Sequence, residues 1–119
     1  FIGAERQALT HETVRILLLN TRLCLMRHEE LFRGTLNETT AHPREVIQKA
    51  LLHKAYAFVL VHNHPSGDPD PSDADRRLTR RIKDAADLFN IVFLDHLIIG
   101  TPAEGRSQPY FSFRECALL

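Results

Sequence analysis

The sequence predicts an α/β domain, on three observations. Short apolar, β-branched runs recur at Val14–Asn20, Ala57–Val61 and Ile91–Ile99. Between them lie two stretches with helical periodicity, one opening at Pro43 and one at Ser72. Strand-like and helix-like segments in alternation are the signature of a sheet packed against helices. With 119 residues the chain is read as one domain spanning residues 1–119, large enough for one hydrophobic core and not for two.

Residues 1 to 12 show no clear period and are read as an entry segment, partly helical. Val14 to Asn20 reads as a buried strand, Asn20-Thr21-Arg22 as its turn, and Leu23 to Leu36 as the strand that pairs back. His28-Glu29-Glu30 interrupts that second run and marks an edge, a bulge or a site. A helix follows from Pro43, with Val46, Ile47, Ala50 and Leu51 on its apolar face and an end near Lys54. Glu45 sits in its first turn, where a carboxylate is favoured, with Lys49 as an i,i+4 partner. Ser72 to Asn90 is the strongest helix, carrying Asp75, Leu78, Ile82, Ala85, Ala86 and Phe89 on one face. Ile91 to Leu94 and Leu97 to Ile99 read as one or two strands around Asp95-His96, and Tyr110 to Phe113 as a last one. Gly100 to Pro109 reads as a loop, and Arg114 to Leu119 as a terminal turn.

Fifteen basic residues balance fifteen acidic ones, so no global field draws the chain to nucleic acid or to an anionic membrane. Any nucleic-acid contact would be local, and Arg76, Arg77, Arg80, Arg81 and Lys83 are first read as a solvated helix face. Every apolar run falls short of the roughly 20 residues that span a bilayer. Cys24 and Cys116 are far apart, which excludes a cysteine-rich zinc site and points to reduced thiols in a cytoplasmic protein, with Cys24 as a small core residue. The chain starts at Phe1 without a methionine and is read as the C-terminal part of a longer protein.

The chemistry concentrates at His62-Asn63-His64-Pro65, where the Ala57 strand gives way to a loop. Residues two apart on a strand point to the same side, about 6.6 Å apart along the chain, so two imidazoles there can converge on one ion. Eleven positions after His64, beyond a Gly-, Pro- and Asp-rich loop, Asp75 opens a helix and can return a carboxylate to them. Two imidazoles and a carboxylate with an open fourth position describe catalytic rather than structural zinc. The competing reading is local: Ser72-x-x-Asp75 is also a capping box. No H-E-x-x-H pattern exists, since His11-Glu12 and His28-Glu29 both lack the second histidine.

Glu45 is the candidate general base. Its helix should run antiparallel to the Ala57 strand; nine helical residues rise about 13.5 Å and four strand residues about 13 Å, which sets Glu45 level with His62. Glu30 is its competitor. His96 is read as a satisfied structural histidine, with an outer role at the metal as the alternative.

His62-x-His64-Pro65-x6-Ser72-x-x-Asp75 resembles the JAMM motif of JAB/MPN metallo-hydrolases. Arg33-Gly34-Thr35-Leu36-Asn37, His42-Pro43-Arg44-Glu45, the segment His62 to Pro69 and Leu94 to Gly100 are similar to the bacterial RadC branch, over nearly the whole chain. The resemblance implies a three-layer, cytidine-deaminase-like fold with a mixed sheet flanked by helices. It implies Zn2+ held by His62, His64 and Asp75, Ser72 assisting an oxyanion, and an upstream glutamate activating water. In the eukaryotic members that glutamate precedes a strand near the start of the domain; here His42-Pro43-Arg44-Glu45 is read as supplying it from a helix start. A helix-hairpin-helix region common in RadC-type proteins is not among these residues.

The expected function is therefore a zinc-dependent, peptidase-like amide hydrolase acting on a protein or peptide. The alternative is a DNA-repair-associated or protein-interaction module with a structural metal. Nucleoside deamination would need a P-C-x-x-C pair, which is absent.

Overall fold

The computed structural model describes residues 12–34, 43–101 and 109–119. Five strands, β1 (Glu12–Leu19), β2 (Leu25–Gly34), β3 (Ala57–Asn63), β4 (Val92–Ile99) and β5 (Tyr110–Ser112), form one sheet in the order β2-β1-β3-β4-β5. Two helices are described, α1 (Pro43–Leu52) and α2 (Asp73–Leu88). β3 and β4 are parallel, with α2 as the crossover between them, and the other pairings are antiparallel. The mixed sheet with helices is the α/β class expected.

The β1–β2 hairpin turns where Asn20 was expected to turn it. The Asn20 side-chain oxygen accepts the backbone N–H groups of Arg22 and Cys24 at 2.9 and 3.0 Å, and Leu23 takes a positive φ of 61°. The interruption at His28-Glu29-Glu30 corresponds to an edge strand with a bulge, since Val14 pairs with Phe32 while the next residue, Arg15, pairs with Glu30. Cys24 is exposed at the hairpin and not in the core, because the chain there has just left the turn on the sheet's edge.

Both helices end in the same way. Lys54 and Asn90 adopt left-handed backbone at φ 53° and 56°, and the following N–H groups reach back to Ala50 and Ala86 at 2.9 Å each. The residues thought to close the helices, Lys54 and Asn90, are thus the turns that stop them.

Val14, Ile16 and Leu18 of β1 stand beside Phe58 and Leu60 of β3, on the face that receives Val46, Ile47 and Ala50 of α1 and Leu78, Ile82 and Ala86 of α2. Phe89, expected on that inner face, lies past the end of α2 and is exposed. The described residues thus supply a sheet and a helical layer. Strand parity carries His62, opposite Val14, onto the same helix-covered face. His96, paired with Leu60, joins it there on β4, which runs unbroken through Asp95-His96. The loop of residues 102–108 and the entry residues 1–11 lie outside the described residues, but Glu12 is the first residue of β1.

Candidate metal centre

Three elements meet at the carboxyl end of β3. The strand delivers His62 on the helix-covered face and then His64, whose backbone N–H still bonds Ile99 of β4 at 3.0 Å. α2 delivers Asp75, and β1 delivers Glu12 from the other side.

Asp75 is 1% exposed and serves two purposes. Its Oδ2 accepts the Ser72 N–H at 2.8 Å while Ser72 Oγ accepts the Asp75 N–H at 3.0 Å, a complete capping box. The same carboxylate faces both histidines, with Oδ2 at 3.1 Å from His64 Nε2 and Oδ1 at 3.3 Å from His62 Nδ1. The capping and metal readings of Ser72-x-x-Asp75 are therefore compatible: the cap locks the rotamer that aims Asp75 at the imidazoles.

Glu12 completes the cluster. Its Oε2 lies 3.4 Å from His62 Nε2, and ligand-capable atoms of Glu12, His62 and His64 all lie within 4.8 Å of one another. This group can hold a metal ion. Bonds of about 2.0–2.1 Å in a tetrahedron leave ligand atoms about 3.3–3.4 Å apart. Asp75 meets the two histidines through different oxygens, Oδ2 at 3.1 Å from His64 and Oδ1 at 3.3 Å from His62, both contacts close to that edge length.

The histidines bear the marks of ligands. His62 is 1% exposed, and among the described residues its Nδ1 makes no hydrogen bond, its 3.3 Å contact with Asp75 Oδ1 notwithstanding, an arrangement that is costly unless something else meets the lone pair or the N–H. His64 Nδ1 donates to the Asp68 carbonyl at 2.8 Å, which leaves Nε2 to face Asp75 and the cluster. Both partners of His64 are acceptors, which favours the protonated ring when no metal is bound. Burial lowers its pKa, but the hydrogen bonds to Asp75 and Asp68 outweigh that and raise it. Burial likewise pushes the Asp75 carboxyl up, and the contacts with His64, His62 and Ser72 overcome this to hold it well below the usual carboxylate range.

The Asp68 carbonyl is set by a tight crossing of two loops. Gly67 N–H bonds the His64 carbonyl at 2.9 Å, and Thr101 N–H bonds the Gly67 carbonyl at 2.7 Å. Gly67 takes a φ of 87°, and a Cβ on Gly100 would come within 2.7 Å of Pro69 Cδ and 2.9 Å of Pro69 N.

Behind the site, His96 is buried among aromatic rings, stacked on Phe113 at 4.8 Å. Its Nδ1 meets Thr79 Oγ1 at 2.6 Å, and that hydroxyl donates to the Asp75 carbonyl at 2.8 Å. Burial, aided by neighbouring His62, pushes the His96 pKa down to about 3. His96 is thus a neutral, structural partner of the helix turn that carries Asp75.

Glu45 is half-buried in the first turn of α1 and lines a small apolar cavity with Val14, Leu60 and Leu78. No hydrogen bond or ion pair joins it to either histidine among the described residues. Its expected partner Lys49 instead pairs with Glu29 of β2 at 2.9 Å. Glu30 lies opposite Arg15, on the sheet face away from His62, and pairs with Arg33 at 2.7 Å. The carboxylate beside the histidines is Glu12, which sequence reasoning passed over for lack of a second histidine four residues on. The available signal was its place immediately before the first strand run.

The RadC-like JAB domain family matches residues 1–118. The chain belongs to this family. It is 49% identical over 90 residues to a UPF0758 protein of Vibrio cholerae, covering 76% of this chain and 57% of that protein. It is 49% identical over 111 residues to the UPF0758 protein YeeS of Escherichia coli, covering 93% and 71%. To a UPF0758 protein of Chlorobaculum tepidum it is 44% identical over 110 residues, covering 92% and 47%. The chain thus spans about half the length of the Vibrio and Chlorobaculum relatives. Among the described residues of this family member, no helix is long and apolar enough to cross a membrane.

Proposed function

We propose that this JAB domain is a zinc-dependent hydrolase of amide bonds in a protein or peptide substrate. The observation that carries the reading is Glu12 Oε2 at 3.4 Å from His62 Nε2, which brings a second carboxylate to a cluster where Asp75 already meets both histidines. Imidazole and carboxylate ligands suit zinc, and a zinc ion held by His62, His64 and Asp75 would polarise the scissile carbonyl and lower the pKa of attacking water from about 15.7 toward 7.

In this reading Glu12, at the rim and 27% exposed, accepts a proton from the attacking water and returns it to the departing amine. That is the role the sequence suggested for Glu45. Ser72 Oγ accepts the Asp75 N–H, so its hydroxyl proton remains free to donate to an oxyanion. Asp75 holds both imidazoles, and the Asp68 carbonyl keeps His64 turned toward them.

The test compares protein fragments released from a cell extract by the wild-type domain and by Glu12→Gln. New amino termini that appear with wild type and vanish with the variant support the reading. Identical fragment sets from both, with the metal loaded, contradict it.

A second reading draws on Arg76, Arg80 and Arg81, which are exposed on α2 and form no ion pair among the described residues. In it the domain is a DNA-associated or protein-interaction module whose metal is structural. Salt-dependent DNA binding that survives His62→Ala, with no hydrolysis, would favour this reading.

A further inference from the structure

The residue between the two histidines points away from them. Asn63 follows His62 on β3, so its side chain leaves the opposite face of the sheet, where it is 5% exposed. Its Oδ1 accepts two hydrogen bonds from one residue, the Thr13 backbone N–H at 2.6 Å and the Thr13 hydroxyl at 2.7 Å. The backbone N–H can only donate, so the accepting atom is the carboxamide oxygen whatever the initial choice of amide orientation.

This bond stands where the strand ladder stops. The β1–β3 register ends at Val14 opposite His62, while the pairing with β4 continues through Asn63 and the His64 N–H bonds the Ile99 carbonyl. Thr13 would lie opposite Asn63 in the next rung, and the side chain supplies the acceptor there. Thr13 is itself 5% exposed, and its neighbour is Glu12. An untethered first residue of a strand frays. Here β2 pairs with Glu12 and Thr13 on one edge, through Gly34 and Arg33. On the other edge the tether is anchored in the His-Asn-His segment itself, so Glu12 and the histidines are referenced to one piece of backbone.

We infer that Asn63 is a positioning residue that holds Glu12 against the metal-binding histidines by clamping Thr13 from the back of the sheet. The inference rests on the metal reading of the His62, His64, Asp75 and Glu12 cluster. It explains why a carboxamide stands between the histidines: Asn63 presents a neutral acceptor to two donors and adds no charge to a buried position.

The test is a double-mutant cycle on cobalt(II) affinity, read from the visible absorption of the loaded domain. Asn63→Ala and Glu12→Gln each weaken cobalt(II) binding by about tenfold, the low end of what outer-shell changes cost. In the Glu12→Gln background, Asn63→Ala adds nothing further. Thr13→Val removes one of the two bonds at constant volume and gives a smaller loss in the same direction, which keeps the test valid if alanine at 63 unfolds. A Thr13 amide that exchanges with solvent faster in Asn63→Ala, without metal, reports the clamp directly. Unchanged affinity in both Asn63→Ala and Thr13→Val, or an Asn63→Ala loss undiminished in the Glu12→Gln background, overturns the assignment alone. A folded wild-type domain that takes up no cobalt(II) overturns the metal reading and the assignment together.

Discussion

Glu12 Oε2 lies 3.4 Å from His62 Nε2, although 50 residues separate them, because Glu12 opens the strand whose third residue, Val14, pairs with His62. The two residues bring a carboxylate to an imidazole that also faces Asp75, and in the proposed reading that carboxylate is the general base. Glu12→Gln should therefore still load one zinc per chain at saturating metal yet lose about 100-fold or more of turnover, the usual cost of a missing general base. Glu45→Gln should keep both. Metal content by elemental analysis and fragment release distinguish the two variants.

His64 contacts two acceptors, the Asp68 carbonyl and the Asp75 carboxylate, and its pKa is raised. Metal must displace the proton on Nε2. Uptake should release about one proton near neutral pH, and affinity should fall as pH drops through the raised value. Without metal the sign reverses for stability: the His64 contribution is full below its unfolded value of about 6.5 and is lost as pH rises through the folded one. Calorimetric metal titrations in buffers of differing ionisation enthalpy measure the proton count.

Gly100→Ala places a methyl group against Pro69 and the Gly67 carbonyl, moving the loop that supplies Asp68 to His64. Loss of that outer contact should weaken zinc binding by about 10–100-fold while the β3–β4 pairing persists. Competition with a chromophoric chelator, alongside circular dichroism, tests it. Unchanged affinity would show that the Asp68 carbonyl does not orient His64.

Glu29 ties the edge strand to α1 through Lys49 at 2.9 Å and His53 at 3.2 Å, with Arg27 at 2.7 Å on the same carboxylate. Hydrogen bonds from Lys49 and Arg27 lower its pKa from 4.5 to about 2. Its contribution is therefore full above pH 4.5 and is lost as pH falls toward 2. Being partly solvated, the network is worth about 1 kcal/mol, so Glu29→Gln should lower stability by that amount at pH 7 and by little at pH 2.5 in denaturant titrations.

Most of the fold is legible in the sequence because burial imposes period. Val14, Ile16 and Leu18 alternate on β1, and Leu78, Ile82 and Ala86 mark the inner face of α2. The meeting of the side chains at the end of β3 with that of α2 is legible for the same reason: His62 and His64 are two apart in sequence, and Asp75 shares the inner helix face with Leu78 and Ile82. What local rules could not supply was the partner across the sheet. Glu12 reaches His62 through the β1–β3 register, a long-range pairing that no window of sequence contains. Glu45 illustrates the converse, since rise arithmetic says nothing of the direction of its side chain, which lines an apolar cavity with Val14, Leu60 and Leu78. Lys49 likewise found Glu29 across the sheet rather than Glu45 along its own helix.

The central claim is that Asp75, His62 and His64 converge on one cation. It is tested most directly by the zinc content of the wild-type domain purified without chelator, beside that of Asp75→Asn, with the fold of each checked by circular dichroism. One zinc per wild-type chain, lost in a folded Asp75→Asn, is the predicted result. A folded wild-type domain that holds no zinc and takes none up on addition would contradict it.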